Sequence, residues 1–219
     1  MDNTNSMDHV EFTDRRSLPM MALRGLTVFP GMMLTFEVER SMSIAALNMA
    51  MSDDQIIYLV PQIDIATDIP TPEDVYGVGT VCRIKQMMKQ PSSKTVRVMA
   101  EGIERGRTLA VRTDMPCFVA EVEPLADVAE RKTARTEALI RHCCNLFDAY
   151  VTVSGNMAPE SVITLLGSTN AGFVSNFIAQ HVFLRPEQKQ ELLEETRPSR
   201  RLTLLSKMLL HETSVLGLQ

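Results

Sequence analysis

The side chains best suited to carry chemistry in this sequence are four histidines, four cysteines and fifteen methionines. The one cluster of potential metal ligands is His142-Cys143-Cys144. Consecutive residues of a helix point about 100° apart, so these three side chains cannot bind one zinc ion without ligands from elsewhere. We therefore interpret the two cysteines as small buried residues of a helix.

The sequence contains none of the common motifs of hydrolases or nucleotide-binding enzymes. There is no G-x-x-x-x-G-K-[ST], G-x-G-x-x-G, H-E-x-x-H or G-x-S-x-G. The histidines are scattered at positions 9, 142, 181 and 211 and define no catalytic triad. Ser206 and Lys207 are adjacent, and adjacent residues of a helix point to different sides. We predict no catalytic residue, no cofactor site and no metal site.

Two methionine pairs, Met32-Met33 and Met87-Met88, suggest a surface for apolar partners. Each pair lies in a predicted strand, where neighbouring residues point to opposite faces, so we expect one member of each to face solvent. Exposed methionine is flexible and polarisable, which suits a surface that accepts many apolar partners. The alternative is that methionine replaces leucine in the core. The candidate contact residues are Phe29, Met32, Met33, Met87 and Met88.

Composition and charge indicate an ordinary globular protein. Of 219 residues, 45% are hydrophobic and 22% are charged, and the formal net charge is −5, which argues against nucleic acid as the main partner. The four cysteines form no C-x-x-C pair, which favours a reducing, cytoplasmic compartment. No apolar run reaches the ~18 residues of a membrane helix. The polar N-terminus lacks the apolar stretch of a signal peptide.

Short apolar runs separated by turn residues predict a β-rich first half. Pro30-Gly31 is the signature of a type II turn, because glycine supplies the positive φ. Ser41–Met51 predicts a helix capped by Ser41 or Ser43. Several short strands with one helix suggest a small, closed or half-closed β unit. The predicted strands are Leu26–Phe29, Met32–Val38, Ile56–Pro61, Gly79–Met88, Lys94–Glu101, Arg107–Arg112 and Cys117–Val122, with a polar loop at Gln62–Tyr76.

After Pro124 the apolar residues recur at helical spacing. The first predicted helix contains Leu139–Tyr150 and ends at Gly155. The other predicted helices are Pro159–Leu166, Phe173–His181, one opened by Pro186 and one beyond Pro198. In the last, Leu202, Leu205, Leu209, Glu212 and Leu216 step by three and four, which predicts packing on another helix. Because this pattern continues almost to Gln219, we expect more protein downstream.

The segment between Tyr76 and Thr113 is strongly basic, because its basic residues are opposed by two acidic ones, Glu101 and Glu104. Sequence-tolerant nucleic-acid binders interleave aromatic side chains for base stacking, and here Tyr76 is the one aromatic available. We favour a solvated strand face whose charges discourage edge-to-edge association, with DNA contact as the alternative. The basic residues are Arg83, Lys85, Lys89, Lys94, Arg97, Arg105, Arg107 and Arg112.

The segments that carry a family resemblance lie between Leu18 and about Glu212. They are LPMMALRGLTVFPGMMLTFEVERSMSIAAL from Leu18 and PTPEDVYGVGTVCRIKQMMKQPSSKTVRVMAEGIERGR from Pro70 to Arg107, followed by SGNMAPES, FIAQHVFLRPEQKQELLEE and RRLTLLSKMLLHE. In their order and spacing they resemble the amino-terminal domain of the Lon ATP-dependent proteases.

This resemblance implies an α+β fold, with a PUA-like, β-rich pseudobarrel followed by an α-helical bundle that ends in a long helix. The polar N-terminus, residues 1–17, is expected to be a flexible tail. The resemblance implies a β-rich part at 18–124, a helical part at 125–197 and the start of a long helix at 198–219. ATP and Mg²⁺ would bind an ATPase module, and a serine–lysine dyad would act in a protease module, both outside these residues.

The resemblance also implies a role in recognising misfolded, damaged and short-lived regulatory proteins for a protease that assembles as a hexamer. The five candidate contact residues then become candidate substrate contacts. The first hypothesis is a non-catalytic substrate-recognition and assembly module of such a protease. The second is a stand-alone adaptor or protein-binding module without a protease, and the third is DNA contact through the basic strands.

Overall fold

The computed structural model describes residues 14–89, 93–155, 165 and 167–216. These residues form six β-strands and five α-helices. None of the helices described is long and apolar enough to cross a membrane. The strands are β1 Arg16–Leu23, β2 Met33–Val38, β3 Ile56–Pro61, β4 Val78–Lys89, β5 Val96–Arg112 and β6 Phe118–Pro124. The helices are α1 Ser41–Met51, α2 Ala134–Ser154, α3 Ala171–His181, α4 Pro186–Glu194 and α5 Pro198–Leu216.

One sheet closes on itself through its longest strand, β5. The strand order is β2-β5-β4-β3-β1-β6, and β5 pairs additionally with β6. β5 has 17 residues, so its first half pairs with β2 and its second half with β6, while β4 runs along its other edge. The ring β1-β3-β4-β5-β6 is therefore a closed barrel, and β2 is an edge strand attached to it. The predicted α+β fold with a β-rich unit is confirmed.

Two glycines allow β5 to change partners without a clash. A Cβ on Gly102 would collide with the carbonyl group of Phe29, and one on Gly106 would collide with the side chain of Val122. Because neither position has space for a side chain, the segment before β2 and strand β6 can approach the β5 backbone closely where it passes from β2 to β6.

The strands form two hydrophobic clusters, one on each face of β1 and β3, and the buried apolar residues of helix α1 belong to one of them. Every residue of β3 is buried, as predicted for a continuous β-branched run. Helix α1 has the predicted bounds and packs on β1 and β3 through Ala46, Leu47 and Ala50. The predicted serine cap is wrong: the N-cap residue is Arg40, and no side chain caps the helix.

The helices that follow β6 form a second core. Helix α2 begins after Thr133, whose hydroxyl accepts a backbone hydrogen bond from the first turn, and it ends at Gly155 with φ of 66°, as predicted. Leu202, Leu205 and Leu209 of α5 are fully buried, and α5 packs against α2. The predicted packing face of the last helix is therefore confirmed.

Some predicted elements differ from the observed ones. Leu26–Phe29 is not a strand but an irregular segment that leads into the turn. Arg107–Arg112 is not a separate strand but the end of β5, which continues without interruption through Gly102 and Gly106. The predicted helix Pro159–Leu166 lies outside the described residues except for Leu165, which is buried in the helical core.

Candidate functional site

The Pro30-Gly31 turn lies where the barrel meets the helices. It has the geometry predicted, since Gly31 has φ of 78° and the Met32 amide donates to the Phe29 carbonyl at 3.1 Å. Two more backbone hydrogen bonds, each of 2.8 Å, join Gly31 N to Gly102 O and Gly102 N to Met32 O. The turn is therefore fixed to β5 on its barrel side.

Helix α3 holds the other side of the turn through two side-chain amides. Gln180 Oε1 accepts a hydrogen bond from Phe29 N at 3.0 Å, and Gln180 Nε2 donates to Thr27 O at 3.2 Å. Asn176 Nδ2 donates to Pro30 O at 3.1 Å. These bonds pair backbone groups of the turn at the contact with the helix, where unpaired groups would be costly.

The apolar flanks of the turn serve this contact. Phe29 has 0% of its surface exposed and Met32 has 4%, and both belong to the core cluster formed by the helices. The expectation that Phe29 and Met32 reach a surface where substrates bind is therefore wrong. Large side chains flank the turn because the turn has to join the barrel to the helical core.

A buried charge network completes this region. The side chains of Arg105 and Arg201 are 3% and 0% exposed, and both bind Asp127. Asp127 accepts from Arg201 at 2.9 and 2.7 Å and from Arg105 at 3.2 Å. Arg105 also donates to Leu193 O and Asn176 Oδ1, each at 2.7 Å. Burial and the neighbouring Arg201 charge lower the pKa of Arg105.

The turn, its hydrogen bonds and the charge network together form the region that we call the joint. It comprises Thr27–Met32, Gly102, Arg105, Asp127, Asn176, Gln180 and Arg201.

Two exposed methionines, Met33 and Met88, lie on the outer face of the sheet formed by β2, β5 and β4. Met33 is 48% exposed and Met88 is 47% exposed, whereas Met87 packs against the barrel core. The prediction that one member of each pair faces solvent is therefore confirmed. Half-buried Met99 lies between the two exposed side chains, and ion pairs occupy the same face. We call Met33, Met99 and Met88 the methionine face, and its role in substrate contact stays a prediction.

The basic residues of β4 and β5 do not form one cationic surface. Arg105 lies in the joint, which corrects the expectation that it belongs to a solvated strand face. Lys85, Arg97, Arg107 and Arg112 lie 2.6, 2.9, 3.9 and 3.4 Å from carboxylate oxygens. These ion pairs fit the favoured interpretation of a charge-compensated strand face.

A groove opens between the end of β1, strand β2 and the start of α1. Two cavities of about 420 and about 280 Å³ meet there and share part of their lining. Strand β1 contributes Met20–Leu23, while β2 and the residues after it contribute Phe36–Arg40. We call this site the β1–β2 groove. The residues common to both cavities are Met21, Ala22, Arg40, Ser43 and Asp68.

Apolar side chains stand exposed at the rim of this groove. Ile69 lines the smaller cavity and is 80% exposed, and Leu26 lines the larger cavity and is also exposed. Exposed Ile65 lies beside Gly25, the residue before Leu26, because a Cβ at Gly25 would be 3.7 Å from its Cγ2 atom. Exposed apolar groups around a concave surface are a common feature of binding sites, so the β1–β2 groove is a candidate site.

A buried glutamine orders the loop that carries these isoleucines. Gln62 Nε2 donates to the carbonyls of Asp64 at 2.8 Å and Thr67 at 2.6 Å, and its Oε1 accepts from Arg40 at 3.0 Å. Burial and the neighbouring Arg24 charge lower the pKa of Arg40. The loop backbone is thus held by polar contacts, so its apolar side chains are presented to solvent without a core of their own.

Sequence reasoning missed this site because it treated Gln62–Tyr76 as a polar loop. The available signal was three isoleucines, at positions 63, 65 and 69, among aspartate, threonine and proline. Isoleucine is usually buried, so three of them in a loop indicate either a core contact or a binding surface. In the structure all three are exposed.

The four cysteines are free thiols in buried positions. Burial raises the pKa of Cys143 to about 12 and raises the pKa of Cys82 far above its ordinary value. Cys143 donates to Leu202 O at 3.3 Å inside the helical core. Protonated, buried thiols are poor nucleophiles and poor metal ligands. Among the residues that the structure describes, no three His, Cys, Asp or Glu side chains are placed to bind a metal.

Comparison with known proteins settles the family. The model of the ATP-dependent protease La (LON) substrate-binding domain matches residues 17–211, which is most of the chain. The chain belongs to the Lon substrate-binding domain family. The resemblance found in the sequence is therefore confirmed, and the β1–β2 groove lies in a Lon domain that takes its family name from substrate binding.

Related Lon proteases match nearly the whole chain. The Lon protease of Clostridioides difficile is 35% identical over 221 residues, covering 99% of this chain and 27% of that protein. Lon protease 1 of Bacillus subtilis is 32% identical over 205 residues, covering 94% of this chain and 26% of that protein. The chain thus spans about a quarter of the length of these relatives, and it resembles a module of a Lon protease rather than a stand-alone adaptor.

Two solved structures share the fold. The N-terminal domain of the Mycobacterium avium complex Lon protease superposes with a TM-score of 0.71 at 18% identity, covering 91% of this chain and 98% of that one. The Lon N-terminal domain protein from Xanthomonas campestris gives a TM-score of 0.62 at 19% identity, covering 87% and 96%. These likenesses support the barrel-plus-helices architecture described above for this Lon domain.

Proposed function

We propose that this Lon domain binds apolar segments of unfolded, damaged or degron-bearing proteins in the β1–β2 groove. The observation that carries the proposal is the exposed apolar rim of the groove, with Ile69 80% exposed, in a domain of a substrate-binding family. Such segments are buried in folded proteins, so an apolar groove distinguishes an unfolded chain from a folded one.

We further propose that the domain delivers these proteins to an ATP-dependent serine protease of which it is a part. The support is the match to Lon proteases of about four times its length. ATP and Mg²⁺ would act in the ATPase module of that protein. Assembly of the whole protein as a homohexamer would bring several weak grooves together, and multivalency would then raise the avidity for one long client chain.

Two finer expectations stay proposals. A reducing cytoplasm would suit a chain with four buried free thiols. Contact with DNA through the basic strands gains no added support, because Arg105 is buried and Lys85, Arg97, Arg107 and Arg112 are ion-paired.

The test of the proposed function is binding of a permanently unfolded protein. Fluorescently labelled, reduced and carboxymethylated lactalbumin is titrated with the wild-type chain and with the double variant Leu26→Ser and Ile69→Ser. Each serine removes apolar contact area at the rim, so we expect roughly tenfold weaker binding or more, measured by fluorescence anisotropy.

The matched control is Leu210→Ser, which removes a half-exposed leucine of α5, an element that contributes no residue to the groove lining. This control is expected to bind like the wild type. Native, disulfide-bonded lactalbumin should bind neither protein. Equal affinity of the double variant and the wild type for the unfolded probe would remove the groove as the binding site.

A further inference from the structure

Strand β2 has an edge on which no described strand pairs. It ends the sheet order, with β5 on its other side. The end of β1 is open in the same way, because β6 pairs with Arg16–Met20, and among the described strands Met21–Leu23 pair with β3 alone. Both open edges belong to segments that line the β1–β2 groove. An unpaired edge presents backbone donors and acceptors that a further strand can use.

The backbone hydrogen bonds next to the turn show which groups of β2 point to the open edge. The Gly102 N–H donates to Met32 O, and the Gly102 carbonyl accepts from Gly31 N, each at 2.8 Å. Both backbone groups of Gly102 therefore bond to the residues just before β2. Along an antiparallel strand, residues that bond to the neighbouring strand alternate with residues that do not. By this alternation Leu34, Phe36 and Val38 form their backbone hydrogen bonds with β5. The N–H and C=O groups of Thr35 and Glu37 therefore point away from β5.

The charged groups that line the groove have ionic or hydrogen-bonding partners within the chain, and Glu39 Oε1 accepts from the Thr95 hydroxyl at 3.0 Å. Glu37 pairs with Arg97 at 2.9 Å, and Arg24 pairs with Asp68 at 2.8 Å. Arg40 donates to Gln62 Oε1 at 3.0 Å. Because the charged groups of the groove already have partners, the groove favours an uncharged occupant. The groups that remain available for binding are the apolar surface and the open backbone edge of β2.

We propose that an unfolded client enters the groove as an extended segment and adds to β2 as a further strand. The inference rests on the proposed function and specifies how the same groove recognises its clients. Backbone hydrogen bonds to Thr35 and Glu37 hold the segment, and they depend little on its sequence. Every second side chain of the segment faces the groove floor at Met21, Leu23 and Phe36. The preferred client is therefore an uncharged segment with apolar residues at alternate positions.

The first test is amide hydrogen exchange measured by NMR on the wild-type chain, with and without reduced and carboxymethylated lactalbumin. In the free protein the amides of Thr35 and Glu37 point away from β5 and have no strand partner among the described residues. When a strand adds, they become hydrogen-bonded, and we expect their exchange to slow by about tenfold at saturating probe. The amides of Leu34 and Phe36 are already paired with β5 and serve as internal references.

The second test removes the same donors. Thr35→Pro and Glu37→Pro each delete one outward N–H without breaking a bond to β5, and proline is tolerated on edge strands. Each is expected to weaken binding of the same probe by about three- to tenfold. The matched controls Thr35→Val and Glu37→Gln keep the N–H and should bind like the wild type.

The outcomes separate this inference from the proposed function. Slower exchange at Thr35 and Glu37 supports strand addition, whether or not the proline variants fold. If the wild type binds the probe while both amides exchange at their free rate, strand addition is wrong and the proposed function stands. If the wild type does not bind the probe at all, both fall.

Discussion

The joint and the β1–β2 groove are adjacent in the sequence, yet the joint buries its apolar side chains whereas the groove leaves apolar side chains exposed. Leu26 lines the groove, and the next residue, Thr27, already has its carbonyl bonded to Gln180 in the joint. In the joint, Phe29 has no exposed surface. In the groove, Ile69 keeps 80% of its surface exposed and β2 keeps an open edge.

This difference separates the structural role of an apolar cluster from a binding role. The joint buries its side chains and pairs its backbone groups, so it holds the barrel on the helices as one frame. The groove leaves apolar area and backbone groups without partners among the described residues. Apolar surface and backbone groups that form no contacts within the folded domain remain available to contact a bound partner.

The comparison predicts its largest effect at Phe29. Phe29→Ala leaves a cavity where the barrel meets the helical core, and we expect a loss of about 3–5 kcal/mol in the free energy of unfolding. Urea denaturation followed by circular dichroism measures it. Met33→Ala, four residues along and half exposed, is the control and should change stability by less than about 0.5 kcal/mol. If both variants lowered the free energy of unfolding equally, the burial of Phe29 would not explain its contribution to stability.

The next effect concerns charge. Asp127→Asn leaves Arg105 and Arg201 buried beside each other without a compensating carboxylate, and we expect it to cost about 3 kcal/mol. The same change at the groove, Asp68→Asn, breaks an ion pair whose side chains are 46% and 87% exposed, and should cost less than about 1 kcal/mol. Thermal unfolding of both variants in one buffer measures the difference. Similar shifts for the two variants would mean that the joint is solvated like the groove.

Much of this architecture follows from local sequence patterns. The bounds of α1 and β3 match their predictions, because helical spacing and a short β-branched run each specify one structure. Alternation along a strand predicted that one methionine of each pair is exposed, as Met33 and Met88 are. Gly31 and Gly155 mark a turn and a helix end because both positions require positive φ.

The candidate site was harder to predict because exposure depends on tertiary contacts. The apolar flanks of the Pro30-Gly31 turn are equally consistent with a surface patch and with a contact between two cores. What decides is the position of α3, about 150 residues later in the chain, whose Gln180 and Asn176 bind the turn. Arg105 shows the same limit. It follows the strand alternation of its basic neighbours, and its buried environment comes from Asp127 and from α3 and α4, where it bonds Asn176 and Leu193.

The smallest predicted effect tests whether the groove or the methionine face binds clients. Met33→Ser and Met88→Ser together remove two half-exposed thioethers from the outer face of β2 and β4, and stability should change by less than about 1 kcal/mol in total. If the groove is the site, the double variant binds reduced and carboxymethylated lactalbumin within about twofold of the wild type, because neither residue lines the groove. Fluorescence anisotropy measures this affinity under the conditions used for the double variant Leu26→Ser and Ile69→Ser.

A loss of affinity as large as that of the groove variant would place the methionine face in the binding surface.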